Sequence, residues 1–419
     1  MSAAVRVARA VAVGSLALAA LTVAPPAAVI GQGALVAVAR AAESERTLKL
    51  GLDLPLSGID GASAIPARNA VVLAVDAANR RGFPHGVRVV LDDLDDAVQG
   101  KHDPAQGAQN IKTFVADSDV FAVVGPMNSN VAKAEIPIAN DGGLAMISMG
   151  ATAIELTRGP DAARLRPAHP DRPSFFRVCA SDDRQGAAAA RFAAARGLRR
   201  AYVIDDNESY GKGLADVFAV AFPRDGGSVI GREHLTAFSL DYKALLTKIK
   251  AANPDAIFFG GIVSTGGAVF RKQMGDAGLG KVAYLGGDGL ASPEFVPLAG
   301  AAADGTYFTL ISPDIARLPA ARGFVAAYRA RFHAEPGSYS AGAYAAAEVA
   351  LEALRRALVA PLPPLTREGV LPAVRATRGL ATPLGPVTFD GAGDLIRPTI
   401  SVYRISGGRA VFVSQAVVP

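Results

Sequence analysis

Chemistry needs converging side chains, and the sequence offers few groups of the required types and spacing. It contains no G-x-S-x-G elbow, no Walker A loop and no H-E-x-x-H pair. Gly211-Lys212-Gly213 begins a dinucleotide-type pattern, but Asp216 stands where the third glycine belongs. The five histidines (His85, His102, His169, His234, His333) lack metal-ligand spacing and read as structural or solvent-facing. Asp92, Asp93, Asp95 and Asp96 lack the glycine and terminal glutamate of a calcium loop, so they read as a solvated strand-to-helix loop. Cys179 is the single cysteine; it has no evident base or metal partner, reads as buried and inert, and excludes an intrachain disulfide. Catalysis has no support in these residues, and neither a metal nor a cofactor is expected.

Polar residues at the ends of strand-like runs carry the stronger signal. Val120 to Gly125 reads as a strand, and Pro126-Met127-Asn128-Ser129 turns from it into a helix. A serine there can cap the helix, and free N–H groups beside it suit a carboxylate. Ser148-Met149-Gly150-Ala151-Thr152 leaves the next strand in the same way. In open α/β sheets the ligand crevice lies outside the carboxyl ends of the strands, so Ser129 and Thr152 face one crevice, unless both are ordinary caps. Gly286-Gly287-Asp288-Gly289 follows the strand-like Val282 to Leu285, and its glycines let backbone approach a ligand closely.

The elements that must position these residues follow from the hydrophobic pattern. Short apolar runs alternate with Ala-rich helical stretches from Thr47 to Leu285, which means βαβ units with parallel sheets covered on both faces. Arg158 to Ser174, rich in Pro, Arg and Asp, is an interdomain linker or an exposed loop. The last third returns to long helices (Pro319 to His333, Tyr339 to Leu358, Arg367 to Thr377), and two strand-like runs, Val387 to Phe389 and Thr399 to Ile405, close the chain. With 419 residues, 50% of them apolar and 19% charged, the chain can build two hydrophobic cores and is not disordered. Its net charge of +5 is spread along the sequence, which leaves no nucleic-acid footprint.

The first residues differ from the rest. Arg6 and Arg9 precede an uncharged run from Ala10 to Ala39, and Ala41-Ala42-Glu43 follow. This order reads as a secretory signal over residues 1–42, cleaved before Glu43, with a permanent membrane anchor as the alternative.

Several of these stretches together give the chain a family likeness. It resembles the Leu/Ile/Val-binding proteins, the type I periplasmic binding proteins that serve branched-chain amino-acid ABC importers. The matching stretches are Leu54-Pro55-Leu56-Ser57-Gly58, Asp103-Pro104, Val123-Val124-Gly125 with Ser129, and Met146-Ile147-Ser148 with Ala151-Thr152 and Glu155-Leu156-Thr157. Ser209-Tyr210-Gly211-Lys212-Gly213-Leu214, Phe259-Gly260-Gly261, Gly286-Gly287-Asp288-Gly289, Gly385-Pro386, Phe389-Asp390 and Gly393-Asp394 continue the match in order. The resemblance implies an α/β fold of two Rossmann-like lobes with parallel sheets, joined by a three-crossing hinge and closing on a small ligand. Residues 47–180 and 313–397 then form one lobe, and 181–312 and 398–419 the other. By motif, Ser129, Gly150 and Thr152 would hold the α-carboxylate and α-amino group of an amino acid, Tyr210 would cover it, and Asp288 would pair with the ammonium. Tyr344 would line the side-chain pocket. The sequence departs from the family at Ile262, where an aromatic residue is common, and at Asp60-Gly61-Ala62-Ser63, which lacks the usual Tyr, so Ser63 and Ile262 bear on side-chain preference.

The implied role is that of an exported, non-enzymatic binding protein that touches the membrane only through ABC permease subunits. A sensory protein of the same fold feeding a membrane receptor is the competing reading. A DNA-binding repressor would need a helix-turn-helix where the signal-like segment stands. N-terminal sequencing of the protein from periplasm or culture fluid should begin near Glu43; recovery only from membranes with Met1 or Ser2 present would contradict the signal reading.

Overall fold

Two sheets built by alternating strands and helices account for most of the chain. The computed structural model describes residues 46–360 and 367–418. The signal-sequence reading of residues 1–42 lies outside the described residues. In chain order the elements of the first sheet region are β1 (Thr47–Leu54), α1 (Gly61–Arg81), β2 (Arg88–Asp95), β3 (Ala97–Val98), β4 (Lys101–His102), α2 (Pro104–Ala116), β5 (Val120–Val124), α3 (Ser129–Asp141), β6 (Ala145–Ser148), α4 (Gly159–Arg164) and β7 (Phe175–Arg177). The second region runs through α5 (Asp182–Ala195), β8 (Arg200–Asp205), α6 (Ser209–Arg224), β9 (Ser228–His234), α7 (Lys243–Ala251), β10 (Ala256–Gly260), α8 (Ala268–Asp276), β11 (Ala283–Gly286), α9 (Phe295–Ala299) and β12 (Tyr307–Leu310). The chain then returns to the first sheet with α10 (Arg322–Phe332), α11 (Ser340–Val359), which packs on α1, and α12 (Arg367–Arg375). β13 (Leu380–Thr382) and β14 (Gly385–Val387) form a small ribbon, and β15 (Thr399–Ser406) and β16 (Arg409–Val417) join the second sheet.

The first sheet has the order β2-β1-β5-β6-β7 and is parallel throughout. The second has the order β16-β15-β12-β11-β10-β8-β9. Strand alternation explains how each sheet is covered on both faces. Ile257 and Phe259 of β10 pack with Leu246 and Phe270 on one side, and Ala256 and Phe258 with Leu214 and Phe218 on the other. Asp103 caps α2, its carboxylate accepting from the Ala105 and Gln106 amides at 2.8 Å with Pro104 at the first helical position. No helix among the described residues is long and apolar enough to cross a membrane.

Three features differ from the sequence expectations. The second sheet is parallel only from β9 to β12; β15 and β16 are antiparallel, joined by a hairpin whose Gly407 and Gly408 both have positive φ. β16 lies beyond the last strand expected from the sequence, Thr399 to Ile405. Of the two readings of Arg158 to Ser174, the exposed loop holds and the linker does not: the stretch, carrying α4, runs between β6 and β7 of the same sheet. The acidic run is no solvated loop. Asp92, Asp93 and Asp95 lie in β2, held there by parallel pairing with β1 up to Leu54↔Asp95, and Asp96 is fully buried with both carboxylate oxygens unpartnered.

A buried ion pair ties the hinge to the first sheet. Arg177, at the end of β7, is fully buried; its Nε donates to Asp394 Oδ1 at 2.7 Å and its Nη1 to the carbonyls of Ala151 and Ala153 at 3.2 and 2.9 Å. Arg158 Nε donates to the other oxygen of Asp394 at 2.6 Å. Burial pushes the Asp394 carboxyl up, but the two guanidinium groups outweigh it and hold it below the usual carboxylate range. Removing one partner leaves a buried charge alone, so Arg177→Met should cost about 3–5 kcal/mol of folding stability. Urea unfolding at neutral pH measures it; a loss under 1 kcal/mol, the value of an exposed pair, would contradict the assignment.

Candidate functional site

Each parallel strand that ends near the middle of its sheet delivers a polar turn to the space between the sheets, as open α/β sheets do. β5 ends before Met127 and Asn128, β6 ends at Ser148 ahead of Gly150, β10 runs out to Ile262, and β11 leads to Asp288. These turns enclose a cavity of about 50 Å3, with Ser63, Ser129 and Gly150 on the first-sheet side and Tyr210, Ile262 and Asp288 opposite. One water needs roughly 10–15 Å3, so the space admits a small solute and not a peptide or polymer. A larger open groove of about 580 Å3 runs past Val296, Phe308 and Tyr403, and its walls carry no charged side chain.

Asp288 dominates the electrostatics. It is 3% exposed, and its carboxylate takes three neutral donors: Gln185 Nε2 at 2.9 Å, the Tyr210 hydroxyl at 2.8 Å and the Tyr339 hydroxyl at 2.8 Å. Burial pushes its carboxyl up and these donors restrain the rise. The flanking glycines do more than the sequence implied. A Cβ at Gly287 would collide with the Tyr210 hydroxyl and Leu214, and one at Gly289 with the Gly261 carbonyl, so side chains there would push apart the donors that hold the acid. Asp182, the first residue of α5, lies nearby and fully buried; burial and then the charge of Asp288 push its carboxyl well up, against a hydrogen bond from Thr152. The cavity wall therefore gathers two buried carboxyl groups, with no cation beside Asp288 among the described residues.

The opposite wall is arranged differently from expectation. Ser129 is the first residue of α3 and caps nothing; its hydroxyl oxygen accepts from the Thr152 and Ala153 amides, both at 3.2 Å. Ser148 Oγ accepts from the Gly150 and Ala151 amides at 3.1 and 2.9 Å. The amides expected to read a carboxylate are thus already taken by two serines. What faces the cavity is the Ser129 hydroxyl, whose proton remains available, and the N-terminus of α3, with its free N–H groups and positive dipole end. Asn128 also lines the cavity, and its Oδ1 is buried without a partner.

Two of the sequence-chosen residues stand away from the cavity wall. Thr152 is fully buried behind it, with its hydroxyl beside Asp182. Tyr344 packs in the helix layer over the first sheet, its ring 5.1 Å from that of Phe324. Tyr339, just before α11, reaches the cavity in its place. Sequence reasoning also missed Asp60, Met127, Asn128 and Val263 on the wall and Gln185 behind it. The position of Asp60 beside Ser63 was the one local clue. Cys179 is buried, and its thiol is pushed up out of the reactive range. No cluster of three His, Cys, Asp or Glu side chains suited to a metal occurs among the described residues.

A family model described as periplasmic binding protein matches residues 47–409. The Leu/Ile/Val-binding protein BraC3 of Rhizobium johnstonii is 30% identical over 365 residues, covering 87% of this chain and 93% of that protein. Leu/Ile/Val-binding protein homolog 3 of Brucella melitensis is 31% identical over 312 residues, or 74% of this chain and 79% of its own length. Among solved structures, the leucine binding protein LivK of Thermotoga maritima matches with a TM-score of 0.75 at 27% identity, covering 88% of this chain and 98% of that one. The branched-chain amino acid transporter substrate binding protein LivJ of Streptococcus pneumoniae, solved with isoleucine, matches with a TM-score of 0.76 at 26% identity, covering 89% and 99%.

The buried acids make a stability prediction independent of any ligand. Unfolded, Asp182 ionises near its ordinary 3.8; folded, it ionises only at higher pH, so the group costs stability that grows as pH rises from 3.8 to the folded value. Asp182→Asn should stabilise the empty protein at pH 7 by roughly 0.5–2 kcal/mol, and the gain should shrink toward pH 4. Urea unfolding at the two pH values checks it.

Proposed function

Within the periplasmic binding protein family, to which this chain belongs, we propose that it captures a free α-amino acid between its two lobes outside the cytoplasm and presents it to ABC permease subunits. The observation that carries this reading is Asp288: a buried carboxylate between the sheets, held by three neutral donors and lacking a cation. An α-ammonium group supplies that cation. The Ser129 hydroxyl and the N-terminus of α3 across the cavity suit the α-carboxylate. Met127, Ile262 and Val263 give the remaining space apolar walls, in keeping with the leucine and isoleucine of the relatives' names. The lobes divide as residues 47–180 with 313–397 and 181–312 with 398–419. The arrangement binds and releases; it contains no nucleophile–base pair that would transform the ligand.

Leucine and isoleucine should raise the melting temperature, and ligand at about 100 times its Kd should add roughly 2.7 kcal/mol of stability. 4-Methylpentanoate, which keeps the carboxylate and side chain of leucine but has no ammonium, should bind far more weakly. Asp288→Asn should lose more than roughly thirtyfold in affinity, since an unpaired buried charge costs about 2–5 kcal/mol. Ser129→Ala should cost only about 1 kcal/mol. Calorimetric titration decides: equal affinity for leucine and 4-methylpentanoate, or wild-type affinity in Asp288→Asn, would overturn the amino-acid reading.

A further inference from the structure

A second buried charge bridges the lobes at the rim of the cavity. His102, at the end of β4, is 5% exposed and directly precedes Asp103, the cap of α2. Its Nδ1 lies 2.8 Å from Asp60 Oδ2, and its Nε2 lies 2.9 Å from Glu208 Oε2. Asp60 lines the cavity from the first lobe, whereas Glu208 precedes α6 in the second. We infer that His102 is a positioning residue for capture: its imidazolium ties Asp60 to Glu208 across the cleft, so that closure of the lobes holds a proton. The inference rests on the reading that closure traps the ligand.

The hydrogen-bond inventory requires the proton. An ionised carboxylate only accepts, so a ring with a carboxylate on each nitrogen must donate from both, and only the cation does so. Burial pulls the ring's pKa down, but the hydrogen bonds and charges of Asp60 and Glu208 outweigh it and raise it to about 10. The other groups facing the ring fit this assignment. Asp96 lies behind the ring, its carboxyl pushed well up by burial, and the ring's charge restrains that rise. Asn130 Nδ2 donates to the same Glu208 oxygen at 3.2 Å. The neighbouring Lys101 turns its ammonium onto the Phe238 ring of the second lobe, 4.2 Å from the centroid, a second tie across the cleft. Glu208 stands two residues before Tyr210, which donates to Asp288 within the same lobe, so the latch holds the turn that carries one of the acid's donors.

Opening removes Glu208 and wets the ring, which returns its pKa toward the ordinary 6.5. Because the closed value is the higher one, the latch contributes fully below the open-state pKa. It weakens capture by up to tenfold per pH unit as the pH rises from there toward the closed value. This direction is opposite to what a simple carboxylate pair would give.

The test uses an equimolar mixture of the twenty L-amino acids below pH 8.5, where their α-ammonium groups stay charged. Wild type and Glu208→Gln, labelled with 15N-histidine, are titrated from pH 5 to 8.5 by NMR with the mixture present, and His102→Gln identifies the resonance. His102 should stay protonated through pH 8.5 in wild type and lose its proton within the range in Glu208→Gln. Identical midpoints in the two proteins, or a wild-type midpoint near 6.5, would overturn the latch. In a parallel thermal-shift series, wild type should lose mixture-induced stabilisation from pH 6 to 8.5, and His102→Gln should show a flat profile; a variant that keeps the wild-type slope also overturns it. Capture itself is scored separately by whether the mixture stabilises wild type at pH 6, while the histidine titration decides the latch in either case.

Discussion

A carboxylate buried without a counter-charge is the constraint around which the cleft is organised. An isolated ionised carboxylate in an apolar interior is too costly to persist, so it must lose its charge or find partners. Asp288 finds Gln185, Tyr210 and Tyr339, all neutral. Three donors orient the acid and moderate its pKa without cancelling its field. The glycines on either side exist to let those donors come close. Asp182 stands close by, its carboxyl pushed well up by burial and by the charge of Asp288. A protein that keeps two buried acids without a counter-charge among the described residues stores instability beside a small cavity, where a bound cation would relieve it.

The loops that face these acids are held from behind. Arg177 grips the carbonyls of Ala151 and Ala153 while pairing with Asp394, from the chain's last passage between the sheets. One guanidinium therefore fixes both the turn after β6 and the segment between β14 and β15, with the forked geometry that a lysine could not supply. Ser148 and Ser129 then complete the same turn by accepting its amides. The turn's hydrogen bonds are internally satisfied, so the wall keeps its shape when the cavity is empty. Polar groups left for a solute are hydroxyls and a helix end, which can reorient or polarise with less structural change than a strained loop.

Charge also decides how the lobes meet. The polar contacts across the cleft rim include an imidazolium between carboxylates, the Asn130–Glu208 hydrogen bond and an ammonium on an aromatic face. Such contacts are weak when wetted and strong when closed, because the local dielectric falls as water leaves. A hinge protein needs that asymmetry: a large apolar interface would lock it shut.

The sequence by itself determined the alternation of strands and helices, and with it the line of strand ends on which Ser129, Gly150, Tyr210, Ile262 and Asp288 stand. Those features are local: period-two and helical patterns set the elements, and an element's end sets what its turn presents. Tertiary structure alone decided the rest. Gln185 and Tyr339 meet Asp288 from 103 and 51 residues away, His102 meets Glu208 across 106, and Asp96 is buried because β2 pairs beside β1. Tyr339 and Tyr344 sit one helical turn and a fraction apart, and only the packing of α11 on α1 chooses which of them looks into the cavity. Residue type announces what a side chain can do; which charges go without partners is settled only when the two sheets close around them.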